Sequence, residues 1–196
     1  MSGNYLLHRK IGSLIIKISR LLRTYIFKLK IKVLGFNISI GRGSEIGRMV
    51  KMQTFDGGKI TIGKRVNISD MVYLEAKYGH LIIGDDTFIG IGCQFVAGNE
   101  VVVGKSCAIA AYTVIMDGNH GTGERKPILS QSMILKPVHV GSDVWLGSHV
   151  TVTSGVNIGT GSVVGANAAV TRDLPEMVVA VGVPAKPIQS RKGKIC

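Results

Sequence analysis

Val140-Gly141-Ser142-Asp143-Val144-Trp145, Leu146-Gly147-Ser148-His149-Val150-Thr151, then Val152, Ile158-Gly159-Thr160-Gly161-Ser162-Val163, Val164-Gly165-Ala166-Asn167-Ala168-Ala169 and Val170 keep a six-residue beat. Each hexad opens on an aliphatic residue, often followed by glycine, with a small or β-branched residue at its fifth place. Working back, the same heads recur as Ile40, Ile46 and Met52, then Ile62, Ile68 and Leu74. Ile83, Ile89 and Phe95 follow, then Val103, Ile109 and Ile115. Within each triplet the step is 6; between triplets it stretches to 10, 9 and 8. Grouping in threes predicts three short strands per triangular coil, with the extra residues absorbed at a corner. Stacked coils bury the aliphatic heads in a prism and give each strand edge a neighbour. About six coils are expected. Cys93 and Cys107 fall on inward fifth places and are read as core residues.

The beat breaks once. From Met116-Asp117-Gly118-Asn119-His120-Gly121 the repeat is silent for about four hexads' worth of residues and resumes at Val140. A long loop inside a compact array is usually functional. This one places a histidine beside Asp117 and Asn119. Asp-Gly-Asn is also strong turn chemistry, which accounts for Asp117 and Asn119 equally well.

The charge of +12 is uneven. Residues 1–34 carry eight Lys/Arg and no acid, leaving the rest at 16 basic against 12 acidic residues. Residues 5–34 read as one helix, with apolar positions at i, i+3, i+4 from Leu7 through Ile11, Leu14, Ile15, Ile18, Leu21, Leu22, Tyr25, Ile26 and Leu29 to Val33, and Gly35 as its stop. Such a basic amphipathic helix suits an anionic membrane surface; packing on its own body or on a sister subunit is the plainer alternative. The expected organisation is a basic helix at 1–37, a repeat domain at 38–190 with its loop at 116–138, and a basic tail at 191–196. A nucleic-acid role is disfavoured, because no aromatic stacking platform or reading helix accompanies the basic arm. Charged residues break every apolar run near the start, so neither a signal peptide nor a transmembrane helix is expected. Cys93, Cys107 and Cys196 match no metal or redox spacing, which fits a reducing cytoplasm.

The segments Lys136–Val150, Ala166-Asn167-Ala168-Ala169-Val170-Thr171-Arg172-Asp173-Leu174-Pro175 and Val181-Gly182-Val183-Pro184-Ala185-Lys186-Pro187-Ile188 resemble those of the hexapeptide-repeat acyltransferases, over roughly residues 40–190. The resemblance is strongest to sugar O-acetyltransferases, and the basic helix favours those that decorate surface polysaccharides. It implies a mainly β fold, a left-handed parallel β-helix with an N-terminal amphipathic helix and one protruding catalytic loop. It implies acetyl transfer from acetyl-CoA to a sugar or lipid-linked glycan in a ternary complex, without a metal, in a homotrimer; the expected place is the cytoplasm, with the basic helix offering a hold on the inner face of the cell membrane.

His120 matches the family's catalytic histidine. An imidazole of ordinary pKa is largely neutral in the cytoplasm and can take the hydroxyl proton as the oxygen attacks the thioester. Asp117 is a nearby group that could orient it, and Asn119 one that could hydrogen-bond the acceptor. By matched position, Ser148 and Ala166 line the pantetheine groove and Thr171 and Arg172 lie near the adenosine end. Lys186 meets the nucleotide phosphates, with Arg172, Arg191 or Lys192 in support, because Gln189 stands where a second cation is common. Trp145 is a possible acetyl-CoA contact beside the loop. Gly147 or Ser148 can supply a backbone oxyanion donor. The histidines of the related zinc-dependent carbonic anhydrases are absent in spacing. Other acceptors (an amino sugar, serine or an antibiotic) and a non-catalytic assembly module are the rival readings.

Overall fold

The computed structural model describes residues 2–123 and 125–191, with side chains from residue 18 onward. His8, Lys192, Cys196 and the apolar positions Leu7, Ile11, Leu14 and Ile15 lie outside that description, as does most of the basic tail.

Eighteen short strands wind into six coils of three, forming three six-membered parallel ladders. Coil 1 is Ile38–Ile40, Glu45–Ile46 and Lys51–Thr54; coil 4 is Glu100–Val103, Ala108–Ile109 and Val114–Met116. The hexad heads stand in register. Sheet I stacks Ile40, Ile62, Ile83, Val103, Val140 and Ile158. Sheet II stacks Ile46, Ile68, Ile89, Ile109, Leu146 and Val164. Sheet III stacks Met52, Leu74, Phe95, Ile115, Val152 and Val170. These columns fill the prism, where nearly every head is buried. The architecture is a parallel β-solenoid that agrees with the left-handed β-helix.

Polar fifth-place residues close the corners from inside. The Ser44 hydroxyl donates to the Gly63 carbonyl at 2.8 Å, that of Thr87 to Gly104 at 3.0 Å and that of Ser162 to Pro175 at 2.7 Å. Cys93 and Cys107 are buried at the equivalent places, and their thiols donate to the Ala110 and Gly141 carbonyls. Burial pushes the Cys93 thiol up to about 11, which keeps it protonated and unreactive. Some corner positions leave no room for a side chain where coils meet: a Cβ on Gly79 would stand 1.9 Å from the Asn99 carbonyl oxygen.

Both ends of the prism are covered. Helix α1 (Ser2–Val33) lies on coil 1, with Ile31 and Thr24 buried and Phe27 packed on the core. The Ile46 backbone N–H donates to the Thr24 hydroxyl at 2.9 Å, and Arg20 pairs with Glu45 at 3.4 Å. At the far end Val178–Val181 continues sheet II beside Val163–Val164, and Lys186–Ser190 folds back antiparallel to it. Among the described residues no helix is long and apolar enough to cross a membrane.

Candidate active site

Coil 4 ends at Met116, and coil 5 begins with Val138–Val140 paired directly to Val101–Val103. The loop therefore leaves the prism after the fourth coil, at the corner between sheets III and I. Its root is a two-stranded antiparallel hairpin, Gly118–His120 against Met133–Leu135, with His120 opposite Met133 and Asn119 opposite Ile134.

Asp117 holds that root. It is buried, and its carboxylate accepts three backbone N–H groups, from Gly98 at 2.8 Å, Asn99 at 2.6 Å and Glu100 at 2.7 Å. Its carbonyl accepts the Lys136 N–H at 2.9 Å and the Ser154 hydroxyl at 2.7 Å. One residue thus ties the coil below, the returning strand and the coil above. Sequence reasoning offered Asp117 as an orienting partner for His120; the carboxylate is instead committed to a corner of coil 3.

His120 and Asn119 are exposed. They line a cleft of about 430 Å³ with Thr122, Ile134, Lys136 and Ser154. Among the described residues no hydrogen bond engages the His120 ring. On the other flank of the hairpin lies a second cleft of about 570 Å³, where Tyr78, Met116, Met133 and Leu135 provide apolar walls and Glu75 and Lys77 provide charge. Ser154 and Lys136 were missed as cleft residues. The signal was positional: Ser154 occupies the corner of coil 5 stacked on the one from which the loop departs.

The residues matched to the acyl-donor groove form a separate group. Gly147, Ser148 and Ala166 share the corner between sheets II and III, where the Asn167 N–H donates to the Ser148 carbonyl at 2.9 Å. Gly147 is buried there, Ser148 half-buried and Ala166 exposed. Trp145 is 54% exposed and sits on sheet II between Ala108 and Val163. It does not stand beside the loop, which departs from the end of sheet III. Thr171 and Arg172 are exposed on the last coil. The Ala185 N–H donates to the Ala169 carbonyl at 2.8 Å, bringing exposed Lys186 to that same coil. Arg191 is engaged elsewhere, with the Gly161 carbonyl and with Asp143. One copy of the chain therefore does not unite His120 with the Gly147–Ser148–Ala166 corner.

The other histidines are accounted for locally. His149 stacks on Tyr112 with ring centroids 5.1 Å apart, at the sheet II–III corner. The ring nitrogens of His139 face Glu100 at 2.8 Å and Asn157 at 3.1 Å. His80 opens a strand of sheet I, and its Nε2 meets the Thr61 hydroxyl at 2.8 Å. Desolvation, aided by Lys59, lowers its pKa.

Residues 80–116 and 137–172 match the pattern described as the hexapeptide repeat of succinyl-transferase. A probable acetyltransferase of Mycobacterium tuberculosis is 31% identical over 156 residues, which is 79% of this chain and 50% of the relative. The chain thus spans about half the length of that protein. Galactoside O-acetyltransferase of Escherichia coli is 34% identical over 132 residues, covering 66% of this chain and 63% of the enzyme. Among solved structures, the N-acyltransferase AntD of Bacillus cereus in complex with dTDP and 3-hydroxybutyryl-CoA superposes with a TM-score of 0.70 at 25% identity, covering 84% of this chain and 88% of that one.

Proposed function

The chain belongs to the hexapeptide-repeat acyltransferases, and from that premise we propose that it transfers acetyl from acetyl-CoA to a sugar hydroxyl, with His120 as general base. The observation that carries this is His120 itself. It is an exposed imidazole on a hairpin whose root is pinned by Asp117, beside a cleft with a lysine and a serine. A sugar hydroxyl is too weak a nucleophile until its proton is withdrawn. As the oxygen attacks the thioester carbonyl, a C–O bond forms, the C–S bond breaks, and the proton passes to the imidazole and then to the departing thiolate. Base catalysis of this kind contributes about 10²–10⁴-fold.

The donor would lie along the corner of Gly147, Ser148 and Ala166, with Arg172 and Lys186 toward its phosphates. A backbone N–H of Gly147 or Ser148 would serve the thioester oxyanion. Because those residues and His120 occupy different corners of one prism, the complete site would need the loop of one copy against the Gly147–Ser148–Ala166 corner of another. A homotrimer with three shared sites satisfies that need. The acceptor would be a glycan under construction in the cytoplasm, such as a surface-polysaccharide precursor.

His120→Ala tests the reading with acyl-CoA and a panel of sugars. A fall of about 10²–10⁴-fold with donor binding kept supports it; an unchanged rate overturns it. A second reading, N-acylation of an amino sugar, draws on the likeness to AntD. A neutral amine is nucleophilic enough to attack before it loses a proton, so that acceptor would leave a smaller loss in His120→Ala, and product mass with paired hydroxyl and amino acceptors separates the two.

A further inference from the structure

Helix α1 uses only one side to cap coil 1. Thr24 and Ile31 are buried and Phe27 packs on the core, while Arg20 and Arg23 reach Glu45 and the Ile46 carbonyl. The opposite side is apolar and bare. Ile18, Leu21, Leu22, Tyr25, Ile26, Leu29 and Val33 are each 52–76% exposed. At 3.6 residues per turn these seven fall within an arc of about 140°, centred almost diametrically from Thr24, Phe27 and Ile31. Lys28 borders the arc on one side and Lys30 on the other, and Lys32 falls just inside the Lys28 edge. No acidic residue occurs anywhere in residues 1–34.

We infer that this outward stripe of α1 docks the protein on an anionic lipid surface, lying in the headgroup plane. Two observations choose lipid over a second copy. Packing one stripe against another would set the lysine borders of both helices side by side with no acid in the arm to offset them. A bilayer instead receives the apolar arc into its acyl boundary while Lys28, Lys30 and Lys32 extend to anionic headgroups. The helix lies on the membrane and does not cross it. The prism hangs from the helix through coil 1, so the whole solenoid is held at the surface. The inference rests on the helix alone and stands whatever the acceptor of the acyl group.

The test is co-sedimentation of the full chain with vesicles of phosphatidylcholine containing about one-third phosphatidylglycerol, and with phosphatidylcholine alone. Binding to the anionic vesicles should be about tenfold or more stronger, and should weaken with salt. Ile26→Asp and Leu22→Asp should each lower it about tenfold while the mass in solution stays constant. Lys28→Glu combined with Lys32→Glu should abolish the preference for anionic lipid. Equal partition into both vesicle types overturns the inference, as does unchanged binding by the aspartate variants. A wild-type chain that stays in the supernatant while Ile26→Asp lowers its assembly mass assigns the stripe to contact between copies and also overturns it.

Discussion

The carboxylate of Asp117 takes the backbone N–H of Asn99 at 2.6 Å, so the residue three places before His120 anchors the corner of another coil. Its neighbours Gly98 and Glu100 donate to the same group. Asp117→Asn keeps the shape but turns an NH₂ toward at least one of these N–H groups. The expected cost is about 1–3 kcal/mol for the unsatisfied buried donor, or a melting temperature lower by roughly 2–4 °C per kcal/mol for a chain of this size. The pH profile of whatever activity remains should keep its wild-type form, which a group acting through His120 would not allow.

Thr24 holds the helix to the prism by accepting the Ile46 N–H while donating to the Arg20 carbonyl at 2.9 Å. Thr24→Val preserves volume and leaves a buried N–H without its acceptor, a loss of about 1–3 kcal/mol. Limited proteolysis should then cut within α1 faster than in wild type, while the coils stay resistant. Equal cutting rates would mean that Ile31 and Phe27 hold the helix unaided.

Gly79→Ala places a methyl carbon where the structure allows 1.9 Å to the Asn99 carbonyl oxygen. Backbone on both sides must part. We expect a loss of about 2–4 kcal/mol, at the severe end for single substitutions, seen as a lower urea midpoint with an unchanged slope.

His80 is partly buried beside Thr61, and its pKa lies below the ordinary histidine value of 6.5. The folded chain therefore binds its proton less readily than the unfolded chain does. Its share of stability is fully present above that ordinary value and declines as pH falls through it toward the lower folded value. His80→Gln should flatten the stability profile below about pH 6.5 relative to wild type, measured as urea midpoints.

The coil architecture was legible because each buried column repeats one chemical choice six times, from Ile40 to Ile158 and from Met52 to Val170. The break at Met116 was legible for the same reason: a period makes its own absence visible. The partners of Asp117 were not, because they lie one coil away in Gly98-Asn99-Glu100, which reads as an ordinary turn. Trp145 was placed beside the loop on the strength of nearness in the chain. The three-sheet winding instead puts successive hexads on different faces, so Trp145 sits a sheet away from the root of the loop. The helix was foreseen as amphipathic, but the apolar stripe read from its sequence is not the side bearing Thr24, Phe27 and Ile31 that meets the prism.

The loop's two ends meet across Gly118 and Leu135, and coil 5 pairs with coil 4 as though nothing lay between them. The prism is therefore indifferent to what the detour contains. A change of length or sequence beyond the hairpin root should leave the aliphatic columns undisturbed. The cleft beside His120 is thus built on a part of the chain whose variation the solenoid does not have to absorb.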